Sequence, residues 1–230
     1  MPRAKKSALR KKAGNPRRPG RPEGETFARE RIMNAAEVVF SELGYARAST
    51  GEIAARAKVT QALVNYYFGS KERLFKEVYV RRANEIVKGR LERLHALTRG
   101  ANPFTLSQVL SAYLEPAFAI RRTRGGRAFL RLQWRLLHSE PPRWGASLRK
   151  VYDDSAREFV AAIREIAPQL SEQTAYWRIV FIIGTYAYMH SDTHRLEQIS
   201  RGACSANDLE QMLAQAKAFV LGGMIAPDVQ

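Results

Sequence analysis

Apolar and polar positions follow a helical period along almost the whole chain. From Arg29 onward, Ile32, Ala35, Ala36, Val39, Phe40 and Leu43 fall at i, i+3, i+4, i+7, i+8 and i+11, one face of an α-helix. Gly44 supplies its C-terminal stop. Ser49 and Glu52 stand at capping-box spacing and open a short second helix through Ile53, Ala54, Ala55 and Ala57. Thr60 is placed to cap a third helix, Gln61 to Tyr67, and Gly69-Ser70 breaks the chain before a long fourth helix that begins at Lys71. Further helical patterns cover about 73–98, 104–122, 126–138, 146–167, 171–196 and 206–222. No segment carries a convincing strand pattern. The prediction is an all-α fold of about nine helices.

Two short helices joined by a three-residue turn, with small Ala54 at their crossing and Val59 and Val64 sealing the pair, predict a helix-turn-helix over about residues 49–68. On the third helix Leu63, Val64 and Tyr67 share one side, and Gln61, Ala62, Asn65 and Tyr66 share the other. That second side suits DNA. Asn65 and Gln61 can each pair bidentately with an adenine edge, Ala62 can touch a thymine methyl, and the Tyr66 hydroxyl can reach a phosphate. Thr60 and Lys71 flank the helix as candidate phosphate anchors, and Thr50 and Lys58 complete the candidate DNA-contacting set. A helical hairpin with a polar outer face and no nucleic-acid role remains the alternative.

Charge favours the nucleic-acid reading. The 230 residues carry 38 Lys+Arg against 22 Asp+Glu, a net charge of +16. Residues 1–22 hold Arg3, Lys5, Lys6, Arg10, Lys11, Lys12, Arg17, Arg18 and Arg21 and no acid, so this stretch supplies +9 of that total. Low in apolar residues, residues 1–24 are expected to form a disordered basic arm. It ends in Arg18-Pro19-Gly20-Arg21-Pro22, resembling the Gly-Arg-Pro core of AT-hook arms, in which arginines enter a narrow minor groove. A generic solubilising leader is the other reading. The N-terminus lacks the apolar stretch of a secretory signal, and the longest nearly unbroken apolar run, Ile179 to Met189, falls well short of the ~20 residues a membrane span needs. With a single cysteine, Cys204, the expected setting is reduced and cytoplasmic. No catalytic constellation or cofactor motif stands out, so neither enzyme activity nor a cofactor is expected.

The pattern Arg31-Ile32-x-x-Ala35-Ala36-x-x-x-Phe40-x-x-x-Gly44-Tyr45, then Ile53-Ala54-x-x-Ala57-x-Val59-Thr60, then Tyr66-Tyr67-Phe68-Gly69-Ser70-Lys71-Glu72-x-Leu74, resembles the N-terminal domain of TetR-type transcriptional regulators. The match runs in register over about residues 27–76. It implies a homodimeric one-component repressor with a DNA-binding domain, here about 25–85, and a helical ligand-binding and dimerisation domain, here about 86–225. Two positions depart from the family pattern. Lys58 stands where glycine is usual, so either the turn is modified or Lys58 accepts a left-handed backbone. Asn65 stands where tyrosine is usual, so the customary phosphate contact is either absent or replaced by base reading.

The resemblance also places dimerisation in the final two long helices. The segment 171–196 is apolar on several faces, which demands burial on several faces. Phe181, Ile182, Tyr186, Met189, Met212 and Phe219 are the candidate interface residues; a central helix of a monomeric bundle is the alternative. Tyr113, Phe118, Phe129, Trp134, Leu137 and Trp177 are candidates for lining an effector chamber, though each also suits an ordinary core. Arg127, Arg131 and Arg135 repeat at i+4 and form one stripe. Arg131 and Arg135 then fit a clamp for an anionic amphiphile at the chamber mouth, unless the stripe is a solvated face or meets acids of a partner subunit. The stretch Asn65 to Lys71 and the last helices are similar to fatty-acid-responsive members of the family. His190 and His194 have the i, i+4 spacing of a metal pair, but no third ligand is evident and no metal is expected. The combined expectation is a repressor that binds a palindromic operator in double-stranded DNA as a homodimer and is released by a small hydrophobic or anionic amphiphilic effector, such as a fatty acid or acyl-coenzyme A. The competing function is sequence-indifferent compaction of nucleic acid.

Overall fold

The structure, a computed structural model, describes residues 23–138, 145–191 and 193–228. Arg18, Arg21 and the side chain of Leu137 lie outside the described residues. The helices are α1 (Glu23–Arg47), α2 (Thr50–Ala57), α3 (Gln61–Phe68), α4 (Lys71–Thr98), α5 (Leu106–Arg121), α6 (Arg124–His138), α7 (Gly145–Arg149), α8 (Asp153–Ile166), α9 (Glu172–Met189), α10 (Arg195–Ile199) and α11 (Leu209–Ile225). No strand occurs among the described residues. The fold is all-α, as the period of the apolar positions requires.

Local chemistry sets most helix starts. Ser49, Thr60, Ser70, Thr105 and Ser171 each accept a backbone N–H at the start of a helix, and Ser49–Glu52 and Thr105–Gln108 form reciprocal capping boxes. Gly44 (φ 75°, ψ 169°) breaks α1 where the sequence pattern stops it, and one further turn runs to Arg47. Other boundaries differ from the pattern. Helix α1 starts at Glu23, so the last two residues assigned to the basic arm already belong to it. The expected helix 146–167 is divided by a 3-10 turn at Lys150–Tyr152. The expected helix 171–196 ends at Met189, and His194, at φ 55°, begins the separate α10.

Helices α1 to α4 enclose a core of Ile32, Val39, Phe40, Ile53, Val64, Phe68, Leu74 and Phe75. Phe40 and Tyr45 both meet Phe75 edge-on, at centroid distances of 4.9 and 5.1 Å. Helix α4 continues out of this head into the C-terminal half, where it packs on α5 and α8, while α9 and α11 close the far side against α8 and α5. Head and body are also joined through α6, which lies along α1. Glu37 of α1 is buried there, accepting from Arg81 Nη2 at 2.7 Å and from Arg82 Nε at 2.9 Å. The α5–α6 corner requires glycine at position 126, because a β-carbon there would stand 1.9 Å from the Ile120 carbonyl oxygen.

Candidate DNA-reading surface and effector domain

The turn before the reading helix is held from both sides. Lys58 adopts the left-handed conformation (φ 54°, ψ 49°), and its N–H donates to the Ala55 carbonyl at 3.1 Å. Arg31 of α1 donates through Nη2 to the carbonyls of Ala57 (2.7 Å) and Lys58 (2.8 Å). Thr60 then caps α3 by accepting the Leu63 N–H at 3.2 Å. Val64 and Phe68 are buried beneath α3, leaving Gln61, Ala62, Asn65 and Tyr66 exposed on its outer side; Tyr66 is 75% exposed. The division drawn on the helical wheel is therefore the division in the fold. Two of the candidate contacts hold one another: Gln61 Nε2 donates to Thr50 Oγ1 at 2.9 Å.

Lys71 is placed otherwise than expected. Its ammonium donates to the carbonyls of Tyr45 (3.1 Å), Ala46 (3.4 Å) and Ala48 (3.0 Å) and lies over the Tyr45 ring. Those acceptors surround the end of α1, so the charge caps a helix C-terminus, and the geometry does not support a phosphate anchor there.

On the far side of the molecule an apolar face is left bare. Trp177, Val180, Phe181 and Tyr188 of α9 and Phe219 and Ile225 of α11 are exposed, Phe181 by 63% and Phe219 by 71%. The candidate interface set is split. Phe181 and Phe219 lie on this face, whereas Ile182, Tyr186 and Met212 are buried inside the protomer and Met189 is half-buried. Trp177, expected to line a chamber, is exposed and stacks on Phe181 on this face. Arg178 ties the two helices together: its guanidinium is buried and donates to the carbonyls of Met224 (2.6 Å), Ala226 (2.8 Å) and Pro227 (2.9 Å) at the end of α11.

The remaining chamber candidates divide in the same way. Tyr113, Phe118 and Phe129 are buried core, and Trp134 packs edge-on against Tyr188. Arg131 is half-buried, and Arg135 is exposed and reaches the Glu42 carbonyl of α1 at 3.4 Å. The arginine stripe therefore ends at the head of the molecule rather than at a chamber mouth. His190 packs on Phe118 with both rings buried, and because α9 has ended, His190 and His194 do not share a helical face. A cavity of about 160 Å³ opens between the end of α9 and the α10–α11 segment, lined by Arg121, Tyr188, Met189, His194, Glu197 and Met212 among others.

The polar centre of the body was not singled out by the sequence. Arg90 of α4 is 1% exposed, surrounded by Tyr113, Tyr152 and Tyr186, with Gln133 donating to the Tyr152 hydroxyl at 2.8 Å nearby. Burial pushes the phenols of Tyr79 and Tyr113 up to about 12 and raises that of Tyr152 well above its ordinary value. All three stay protonated at neutral pH. The spacing Tyr79, Ala83, Ile86, Arg90, Leu94 on the apolar side of α4 was the available signal, since it seats Arg90 in the buried register.

Comparison with known proteins agrees with this architecture. Residues 32–78 match the family of bacterial regulatory proteins of the tetR type, and residues 111–223 match a tetracyclin repressor-like C-terminal domain. No curated protein sequence matches significantly. Similar solved structures include the fatty acid degradation regulator FadR from Bacillus halodurans (TM-score 0.64, 16% identity, covering 84% of this chain and 98% of that one). PfmR, a TetR-family regulator from Thermus thermophilus, gives a TM-score of 0.59 at 17% identity over 83% and 97% of the two chains. A TetR-family regulator from Streptomyces coelicolor gives 0.53 at 18% identity over 86% and 99%. At such identities the likeness is one of fold. No helix among the described residues is long and apolar enough to cross a membrane. With an N-terminal and a C-terminal family model matched, the chain belongs to the TetR family of transcriptional regulators, DNA-binding proteins rather than enzymes.

Proposed function

We propose that this regulator is a cytoplasmic repressor that binds a palindromic operator as a homodimer and is released by a small hydrophobic or anionic amphiphilic effector. The observation that carries the reading is the outer side of α3: Gln61, Ala62, Asn65 and Tyr66 stand exposed on a helix whose other side is locked into the head. Major-groove edges are read by such neutral hydrogen-bonding and methyl groups, while charge supplies attraction. Residues 25–85 act as the DNA-binding unit and residues 86–225 as the effector and dimerisation unit. The basic arm adds affinity through Arg18 and Arg21.

The bare apolar face of α9 and α11 supports pairing of two protomers about a twofold axis, as a palindrome requires. FadR, a regulator of fatty acid degradation, is among the structural neighbours, and this supports an amphiphilic effector. The test is an operator-binding assay with Asn65→Ala. The variant should bind more weakly and lose about 1–3 kcal/mol of discrimination at one base step. Unchanged affinity and selectivity would refute the reading-face assignment, and a footprint spread evenly over any duplex would favour compaction instead.

A further inference from the structure

We infer that Arg90 anchors the carboxylate of the effector, and that the effector class is a free monocarboxylic acid with an apolar body. The inference rests on the effector-responsive reading above. Arg90 donates through Nε to the Tyr113 carbonyl at 2.8 Å and lies beside the neutral Tyr186 hydroxyl, but its buried Nη2 meets no acceptor in hydrogen-bonding geometry. Among the described residues no carboxylate forms an ion pair with it. On α5 and α8, Glu115 is engaged by Lys217 (2.7 Å) and Arg93 (3.5 Å), Glu158 by His95 (2.7 Å) and Asp154 by Arg157 (2.6 Å), while Asp153 and Glu165 are exposed.

An arginine does not shed its proton in a protein interior. The body of the molecule therefore holds an uncompensated cation, a costly arrangement unless an anion completes it. The Tyr113 ring, with its centroid 3.7 Å from the guanidinium carbon, and the Tyr186 and Tyr152 rings at 5.4 and 5.9 Å offset only part of that cost. Arg178 shows the contrast, since each of its Nη atoms finds carbonyl acceptors.

The surroundings complement a carboxylate. Neutral phenols beside the guanidinium can donate hydrogen bonds to an anion, and none can supply a counter-charge of its own. Tyr113 and Phe159, edge to face at 5.0 Å, are buried apolar neighbours of the guanidinium, so an acid that reaches it must part packed rings. A coenzyme A thioester has no carboxylate, and its several phosphates are poorly matched to one buried guanidinium. The free acid is the better match.

The test uses the full-length protein with acetate, benzoate and dodecanoate, the methyl esters of the last two, and dodecanoyl-coenzyme A. Acids should raise the melting temperature and esters should not. Arg90→Met should bind the acids at least about tenfold more weakly while melting, without ligand, at or above the wild-type temperature. Failure of every acid to shift the wild type, equal shifts by acid and ester, or undiminished binding by Arg90→Met would each overturn the inference. The acid–ester comparison on wild type decides the matter even if the variant does not fold. Release of labelled operator is read separately. Acid binding through Arg90 without operator release would refute the repressor reading and leave the site standing, whereas release by the thioester alone would overturn the site and keep the repressor.

Discussion

Lys58 holds a backbone conformation that residues with a β-carbon adopt at a cost of roughly 1 kcal/mol. Its carbonyl and that of Ala57 are gripped by Arg31, so the turn cannot relax without losing three hydrogen bonds. Lys58→Gly should therefore stabilise the protein by up to about 1 kcal/mol, a rise of about 2–4 °C in melting temperature for a chain of this size. A lower melting temperature would show that the lysine stem packs usefully. If the ammonium meets DNA, the same variant should reduce the slope of log affinity against log salt by about one. Lys71 offers no such gain: with its charge shared among three carbonyls, its removal is a matter of head stability.

At the scale of helices, most of the fold was legible because caps and spacing are local. Ser49 with Glu52, Thr60 and Ser70 announce where α2, α3 and α4 begin, and the apolar face of α3 identifies its reading side by elimination. The helix α9 was legible only as apolar on several faces. With Phe181 and Ile182 adjacent and similar, no polar face marks the exterior, so the sequence could not say which of them points into the protomer. Arg90 escaped for the opposite reason: a charged residue is normally assigned to solvent, and only its register on α4 says otherwise. The two faces of α9 make separable predictions. Phe181→Glu should split the proposed dimer while leaving helical content intact, which sedimentation and circular dichroism would reveal. Ile182→Ala should instead lower protomer stability by about 2–5 kcal/mol, read by denaturant titration. A dimer unaffected by Phe181→Glu would move the interface elsewhere.

For the molecule as a whole, the buried phenols fix a response to alkaline pH. Tyr79 and Tyr113 ionise near 12 when folded, mainly through burial, and near 10 when unfolded. Their contribution to stability is complete below pH 10 and declines between pH 10 and 12, as the unfolded chain alone releases protons, by on the order of 2–3 kcal/mol for each ring. Melting curves from pH 9 to 11, followed with tyrosinate absorbance, should show the delayed titration collapse with unfolding. Deleting residues 1–22 should flatten the salt dependence of operator binding; an unchanged slope would mean that the arm never meets phosphate. One continuous helix spans both halves of the protein. Helix α4, from Lys71 to Thr98, is about 42 Å long, and Arg90 stands about 28 Å from its head end. Pivoting by about 5° at that point would swing the head about 2.5 Å, against a hydrogen-bond tolerance of a few tenths of an ångström. In the proposed dimer α4 would act as a gear: a side-chain-sized adjustment around one guanidinium would move each head by several times the tolerance of a base contact.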